Sequence, residues 1–370
     1  MKAHRLLDPA MALARRLRRR GPASGVLLLS FGGLGDTVLF SLLLPRFAEL
    51  ARPGEKVTVL LRADAARMAF VFPPGIEVIK VDAGQLRHPT IRYRLFDRLF
   101  AAHYRLVVST DFLRHPDLDE AIAAACAAPE TAAMEPRSWP KYDRRLAANR
   151  RLWHRLFDSG PPLQDKVLRW SRFADFLTGR SEPPPVVRLP AERLPAARTL
   201  DAPTVVVQPF SAVTAKQVRP DFLRRLLAEV PAGWRVLIAG HSSDMERNPD
   251  YRPLLELPGV AFEPAPFAEL AGVLRAARLV VSVDTACMHL AAALGAPTLC
   301  LAGAGYHGEI VPYAAEIMPP NLRFLTVAME CAGCLGACRL PEVDGMYPCV
   351  AALDVESAAT VLREMIGGTA

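Results

Sequence analysis

Along the chain, short apolar blocks rich in Val, Leu and Ile alternate with longer stretches whose apolar residues recur at helical spacing, and polar or glycine-containing turns separate them. Short β-branched blocks bounded by turns read as buried strands, and the longer periodic stretches read as helices. In the first half this pattern predicts strands at residues 26–30, 57–61, 78–81 and 106–110, with helices at 36–50 and 65–72. Strands separated by helices imply right-handed crossovers and a parallel sheet. From 129 to 162 the period weakens, with Arg, Trp and Pro interleaved. That stretch reads as an irregular excursion or the lining of a cleft.

Helical spacing returns at 163–177, and five prolines then fall between 182 and 195 (Pro183, Pro184, Pro185, Pro190 and Pro195). Such a run marks a linker. After it the alternation restarts, with strands at 204–207, 235–239, 260–262, 279–283, from 298 and at 322–327, and helices at 221–230, 267–276, 286–294 and 355–365. The organisation read from this is a first α/β domain over 21–180, a linker over 181–200 and a second α/β domain over 201–370. Two such units of similar size define a cleft in which ligands belong. Residues 278–302 are the most informative stretch: an apolar strand runs into Asp284-Thr285, where a helix N-cap belongs, and then into an Ala-rich helix stopped by Gly295. A helix starting just past a parallel strand aims its N–H groups and positive dipole end at the ligand crevice, which suits a phosphate.

A length of 370 residues with 51% hydrophobic content supports two core-bearing domains. No apolar run reaches the roughly 18–20 residues of a membrane span, and the opening residues carry no apolar core with a cleavage site, so the expectation is a cytoplasmic protein. Net charge is +7, yet Lys2, Arg5, Arg15, Arg16, Arg18, Arg19 and Arg20 stand against Asp8 alone within residues 1–20. The rest is nearly neutral, which excludes a nucleic-acid-binding body with basic residues spread over one face. Leu6, Leu7, Met11, Leu13 and Leu17 lie among those charges. The segment therefore reads as an amphipathic helix on an anionic membrane surface or as a solvated tail.

After the first strand comes Phe31-Gly32-Gly33-Leu34-Gly35-Asp36-Thr37-Val38. Gly33 and Gly35 let the backbone turn sharply and a substrate approach closely, with Asp36 at the mouth of the next helix. A dinucleotide fingerprint fails here, because Val38 holds the third glycine position and the second strand ends in Leu61-Arg62 rather than an acid. An NADP-dependent oxidoreductase with Arg62 reading the extra phosphate is the competing reading, and a plain helix-capping role is the bland one for Asp36. In the second domain, Ser211, Thr214 and Lys216 lie in the loop after the strand that ends at Gln208, placed to hold a diphosphate by charge-assisted hydrogen bonds. His289, taken alone, reads as a half-buried hydrogen-bonded residue. Asp117-Leu118-Asp119 has the Asp-x-Asp form of a metal-dependent transferase, but it leads into an Ala-rich helix and is discounted.

Four of the seven cysteines, Cys331, Cys334, Cys338 and Cys349, fall within 19 residues. In a reducing compartment the spacing C-x2-C-x3-C-x10-C favours a structural Zn or Fe ion over disulfides. A set of free thiols in a tight loop is the alternative. Cys126, Cys287 and Cys300 read as small buried residues.

The run from Gly33 (GLGDTVLFSLLLPRFAEL), the Ser211 to Lys216 loop and the run from Val283 (VDTACMHLAAALGAPTLCL) together resemble glycosyltransferase family 9, the lipopolysaccharide heptosyltransferase family. The resemblance spans most of the chain in order and spacing. It implies a GT-B fold of two Rossmann-like domains with parallel sheets facing a central cleft, acceptor on the first and nucleotide-sugar on the second. It also implies transfer with inversion and no catalytic metal. Carried over, it makes Asp36 the general base, with Lys216, helped by Thr214 and Ser211, neutralising the leaving diphosphate. Asp284, Thr285 and the backbone at Ala286 become the donor-binding turn, His289 matches the His that follows it, and Asp244 lies about one position from the ribose-binding acid. Some members of the family carry Cys-coordinated iron. The donor implied is ADP-heptose-like, with UDP-, GDP- or dTDP-sugars as alternatives; the acceptor is a glycan, glycolipid or protein. A non-catalytic nucleotide-sugar-binding protein is the remaining reading. The sequence departs from the family at Ala286, where Gly is usual, at Val218, where Trp is usual, and in the 303–309 loop.

Overall fold

The computed structural model describes residues 4–368, without the side chains of residues 4–6 and 16. It divides into two compact units, Met1–Pro162 with Arg169–Pro183, and Leu163–Leu168 with Pro184–Ala370. Among the described residues no helix is long and apolar enough to cross a membrane.

The first unit begins with helix α1 (His4–Arg16), strand β1 (Val26–Ser30) and helices α2 (Leu34–Ser41) and α3 (Leu44–Ala48). One helix over 36–50 is the sequence expectation. Pro45 breaks it, because proline lacks the N–H a helix interior needs and its ring opposes the carbonyl four residues back; the chain restarts with Pro45 in the first turn of α3. Next come β2 (Val57–Arg62), a 3-10 turn at Ala65–Val71 in place of the expected α-helix, β3 (Ile76–Val81), α4 (Pro89–Ala102), β4 (Leu106–Ser109) and α5 (Asp119–Cys126). The aperiodic region holds two further strands, β5 (Glu130–Met134) and β6 (Arg155–Phe157), with α6 (Asp143–Asn149) between them, and α7 (Lys166–Thr178) follows. All six strands are parallel, in the order β3-β2-β1-β4-β5-β6. Every residue of β1 and β4 is buried, the expected state of strands covered on both faces. Leu27 and Leu29 of β1, Phe96 and Leu99 of α4, and Ile122 and Cys126 of α5 share one core cluster.

The second unit repeats the design. It runs β7 (Thr204–Gln208), α8 (Pro220–Leu227), β8 (Arg235–Ala239), α9 (Asp244–Arg247), β9 (Val260–Glu263), α10 (Phe267–Ala276), β10 (Leu279–Val283), α11 (Ala286–Leu294), β11 (Thr298–Leu301), β12 (Leu322–Leu325), α12 (Pro348–Ala351) and α13 (Val355–Gly367). Its six parallel strands are ordered β12-β11-β10-β7-β8-β9. Gly295 ends α11 with φ +81°, a left-handed C-cap that a glycine adopts without a Cβ penalty.

In each sheet the chain first builds outward to one side of the opening strand, then returns to build on the other. The reversal falls between β1 and β4 in the first sheet and between β7 and β10 in the second. Loops leaving the C-terminal ends of such a strand pair splay to opposite faces of the sheet and leave a crevice, the ligand position of open α/β sheets. The Gly33-Gly35-Asp36 turn follows β1, the Ser211–Lys216 loop follows β7 and Asp284-Thr285 follows β10, so the fold brings these motifs to the two crevices.

Candidate donor and acceptor sites at the two sheet crevices

The loop after β7 ends in a 3-10 turn, Thr214–Lys216, which turns Lys216 back over the crevice. Its Nζ donates to Asp284 Oδ2 at 2.7 Å, and both side chains are largely withdrawn from solvent. The same Nζ lies 4.3 Å from the centroid of the Tyr306 ring, which adds a cation–π contact. Lys216 and Asp284, 68 residues apart in sequence, are thus a charge-balanced pair at the reversal between β7 and β10.

Thr285 occupies the N-cap position of α11, but its side chain does not cap the helix. Its hydroxyl instead donates to Gln208 Oε1 at 2.8 Å, while Gln208 Nε2 donates to the Phe210 carbonyl at 2.7 Å. Gln208 therefore ties the ends of β7 and β10 together, and the amides of the first turn of α11, beginning at Ala286, are left without a capping side chain among the described residues. The sequence expectation of an Asp284–Thr285 cap is corrected here: Asp284 goes to Lys216 and Thr285 to Gln208. An amide-rich helix start beside an ammonium group is suited to the oxygens of a phosphate.

Other predicted donor residues have local roles. Ser211 Oγ accepts the Val213 N–H at 3.1 Å, and Thr214 is exposed on the same loop. Asp244 closes the turn after β8 by accepting the His241 N–H at 2.7 Å and pairs with Arg247 at 2.6 Å. His289 is buried in α11, with Nδ1 2.6 Å from the Tyr313 hydroxyl. Burial pushes the Tyr313 hydroxyl well above its ordinary pKa, so it stays protonated. Val218 is buried in the second core, and its carbonyl accepts from the Tyr251 hydroxyl at 2.5 Å.

In the first unit, Gly33 is the N-cap of α2, and its N–H donates to Asp36 Oδ2 at 2.7 Å. The capping role weighed for Asp36 is therefore real. It fixes the carboxylate at the helix mouth. The neighbouring Gly32 is required by space, since a Cβ there would stand 2.5 Å from the Asp36 Cβ. Across the β1–β4 reversal, Asp111 Oδ2 accepts the Phe31 N–H at 2.7 Å, so two carboxylates grip one turn. Behind it, burial and the nearby Asp111 charge push the carboxyl of Asp119 well above the carboxylate range. Asp119 accepts the His115 N–H at 2.8 Å, and Asp117 pairs with Arg145, so the Asp-x-Asp sequence serves the interior and surface of this unit. Arg62, the proposed NADP reader, makes a two-pronged pair with Asp64 at 3.0 and 2.6 Å.

Cys331, Cys334, Cys338 and Cys349 line one pocket, which also reaches Lys216, Asp284 and Tyr306. Burial raises the Cys349 thiol, with Cys331 and Cys334 near enough to add to the effect. Among the described residues no group of three or more His, Cys, Asp or Glu side chains stands close enough to hold a metal ion. Cys126, Cys287 and Cys300 are buried, as expected. Gln208, Tyr306 and Asp111 join the candidate sites without having been singled out from the sequence. Gln208 carried a signal, a polar residue closing an otherwise apolar strand.

Residues 161–331 match the sequence model of glycosyltransferase family 9 (heptosyltransferase). Comparison with curated protein sequences gives no match. Among solved structures, a family 9 glycosyltransferase from Veillonella parvula superposes with a TM-score of 0.67 at 14% identity, over 93% of this chain and 97% of that one. The E. coli heptosyltransferase WaaC, solved with ADP-2-deoxy-2-fluoro heptose, gives 0.66 at 20% identity over 94% and 99%. E. coli ADP-heptose LPS heptosyltransferase II gives 0.62 at 14% over 93% and 99%. These likenesses show the fold, GT-B, with two six-stranded parallel sheets flanked by helices. Residues 161–331, which span the loop and turn that form the β7–β10 crevice, thus match the sequence model of glycosyltransferase family 9, the heptosyltransferase family, and the chain shares the GT-B fold of the heptosyltransferases it superposes on.

Proposed function

We propose that the protein is a cytoplasmic, inverting glycosyltransferase that moves heptose from ADP-heptose to a hydroxyl of a bacterial surface glycan, lipid core or protein, without a catalytic metal, and touches the membrane through residues 1–20. The acceptor oxygen attacks the anomeric carbon as the bond from that carbon to the diphosphate breaks. Asp36 takes the acceptor proton, and ADP leaves with the bonding electrons. Attack from the face opposite the departing phosphate inverts the centre. Because the charge that develops is on the diphosphate, stabilising it is the main catalytic demand. Lys216 and the α11 amides from Ala286 meet that demand, with Ser211 and Thr214 on the same loop. Asp244, which opens α9 after β8, accepts from ribose hydroxyls in this reading, and Asp284 holds Lys216 in position until the donor arrives. Gly33 and Gly35 leave room for the acceptor beside Asp36, and His289 supports the donor turn from within α11.

The observation that carries this reading is the Lys216–Asp284 pair at the β7–β10 reversal, beside an α-helix start with no side-chain cap. The four-cysteine loop is proposed as the holder of a structural Zn or Fe ion because its thiols line one pocket; no step of transfer runs through it. The test is turnover and binding with a panel of ADP-, UDP-, GDP- and dTDP-sugars. Binding and slow hydrolysis of ADP-heptose above the others support the reading. A protein that binds none of them, or that binds a nicotinamide cofactor in fluorescence titration, removes it.

A further inference from the structure

Helix α1 is mounted with its polar side inward. Asp8 accepts from Arg92 of α4 at 3.0 and 2.7 Å, and Arg15 donates to Asp97 of α4 at 2.7 Å. Arg92 and Arg15 are 2% and 3% exposed. Arg92 also donates to the Asp117 carbonyl at 2.9 Å and lies 4.5 Å from the Phe96 ring centroid. The opposite side of α1 carries Ala10, Leu13 and Ala14, with Leu17 just past its end. All are exposed, Leu13 at 64% and Leu17 at 86%, and Leu7 at the edge of the stripe is 41% exposed.

Positions i, i+3, i+4 and i+7 form the stripe that a helix of a soluble domain normally buries. Here the helix cannot roll to bury it. Doing so would withdraw Asp8 from Arg92 and leave a desolvated guanidinium without its counter-ion, the costly way to break a buried pair. The segment that follows is anchored as well: Arg20 lies 4.2 Å from the Phe100 ring centroid and donates to the Cys126 and Ala127 carbonyls at 3.1 Å each. The leucine stripe is therefore held outward at both ends, next to the exposed Arg18 and Arg19.

We infer that this face docks on an anionic lipid bilayer, with Leu7, Leu13 and Leu17 entering the interface and Arg18 and Arg19 meeting the headgroups. The inference specifies the membrane contact proposed for residues 1–20 and is independent of the transfer chemistry. Charge selects the occupant. Among the described cations of this segment, Arg15 is buried against Asp97 and Arg20 is turned onto Phe100, while Arg19 and Arg18, which shares Asp97 at 3.6 Å, stand exposed beside the stripe, so a second copy docking the same helix would bring like charges together, whereas anionic lipid supplies the missing sign.

The test is flotation of the full-length protein with phosphatidylglycerol/phosphatidylethanolamine vesicles and with phosphatidylcholine vesicles at about 0.1 M NaCl. Binding to the anionic vesicles alone is expected. Leu13→Glu with Leu17→Glu should weaken it at least about tenfold, and Arg19→Gln about fivefold. All three positions are exposed, so thermal melts should match the wild type, and ADP binding measured on the same samples reports the donor site separately. Three results overturn the inference: no binding to anionic vesicles, binding that the double leucine variant leaves unchanged, or a wild-type dimer in sedimentation that the same variant dissociates. Loss of ADP binding with vesicle binding intact would remove the transferase reading instead.

Discussion

Lys216 Nζ stands 2.7 Å from Asp284 Oδ2, so in the free protein the cation assigned to the donor's phosphates is already neutralised by an acid on the next strand's turn. A diphosphate has to compete with Asp284 or share Lys216 with it. Lys216→Ala should lower turnover about 100-fold to 1,000-fold and weaken ADP binding, because it leaves a carboxylate facing the phosphates. Asp284→Asn in that background should recover part of the ADP affinity. Calorimetry on the two single variants and the double closes the cycle. Strictly additive effects would mean that the pair does not act as a unit at the donor site.

Asp36 has one observed role, capping, and one proposed role, general base, and one substitution separates them. In Asp36→Asn the amide oxygen can still accept the Gly33 N–H that the carboxylate accepts at 2.7 Å, so the melting free energy should change by less than about 1 kcal/mol. With the proposed base removed, kcat should fall about 100-fold or more with KM for the donor unchanged. Gly32→Ala keeps the base but places a Cβ 2.5 Å from the Asp36 Cβ. It should cost stability by about 1–3 kcal/mol and also lose activity. Activity retained in Asp36→Asn would leave the residue only its capping role.

The strands of the second sheet were legible because Val-rich runs bounded by turns have one reading, and β8 and β10 fall where the pattern places them. β5 and β6 were not. One is Ala-rich and the other three residues long, and both owe their strand state to pairing beside β4 rather than to their own composition. Helix α4 was missed for a related reason: Arg92 lies on its buried side among Phe96, Leu99 and Phe100, and that burial makes sense only once Asp8, 84 positions earlier, arrives. At the site, residue types and loops were readable, whereas partners were not. Hydrogen-bond geometry took Thr285 to Gln208 instead of its own helix, which no local spacing reveals.

Glu55 and Arg105 give the first unit a defined acid response. Arg105 hydrogen-bonds Glu55 at 2.8 and 2.7 Å and lowers its pKa to about 2. A carboxylate held below its unfolded value adds stability that is complete above about pH 4.5 and disappears as pH falls toward 2, because the unfolded chain takes up the proton first. After discounting for solvent, the contribution is about 1–2 kcal/mol. Glu55→Gln should therefore be less stable than wild type at pH 7, with the difference closing between about pH 4 and 2. Urea melts at several pH values check this, and a gap that does not change with pH would contradict it.

The cysteine loop yields a prediction that does not depend on activity. Cys331, Cys334, Cys338 and Cys349 line one pocket, and Gly303 and Gly305 pack close to it: a Cβ on Gly303 would meet the Cys349 sulfur at 3.0 Å, and one on Gly305 the Cys334 sulfur at 3.6 Å. The missing Cβ of Gly303 lets the chain after the end of β11 approach the Cys349 thiol, whereas at Gly305 a Cβ would make only ordinary contact. Thiolates gathered by a metal would draw the loop in further and tie it to that end, so binding free energy would appear as folding stability. Elemental analysis of protein purified without added metal should give close to one Zn or Fe per chain. Removing it with a chelator should lower the melting temperature by about 5 °C or more. Cys349→Ser should lower both metal content and stability; Cys126→Ser, in the other unit, should leave metal content unchanged. Metal-free protein that melts at the same temperature with and without added Zn or Fe would leave the loop as four free thiols whose spacing serves the turn alone.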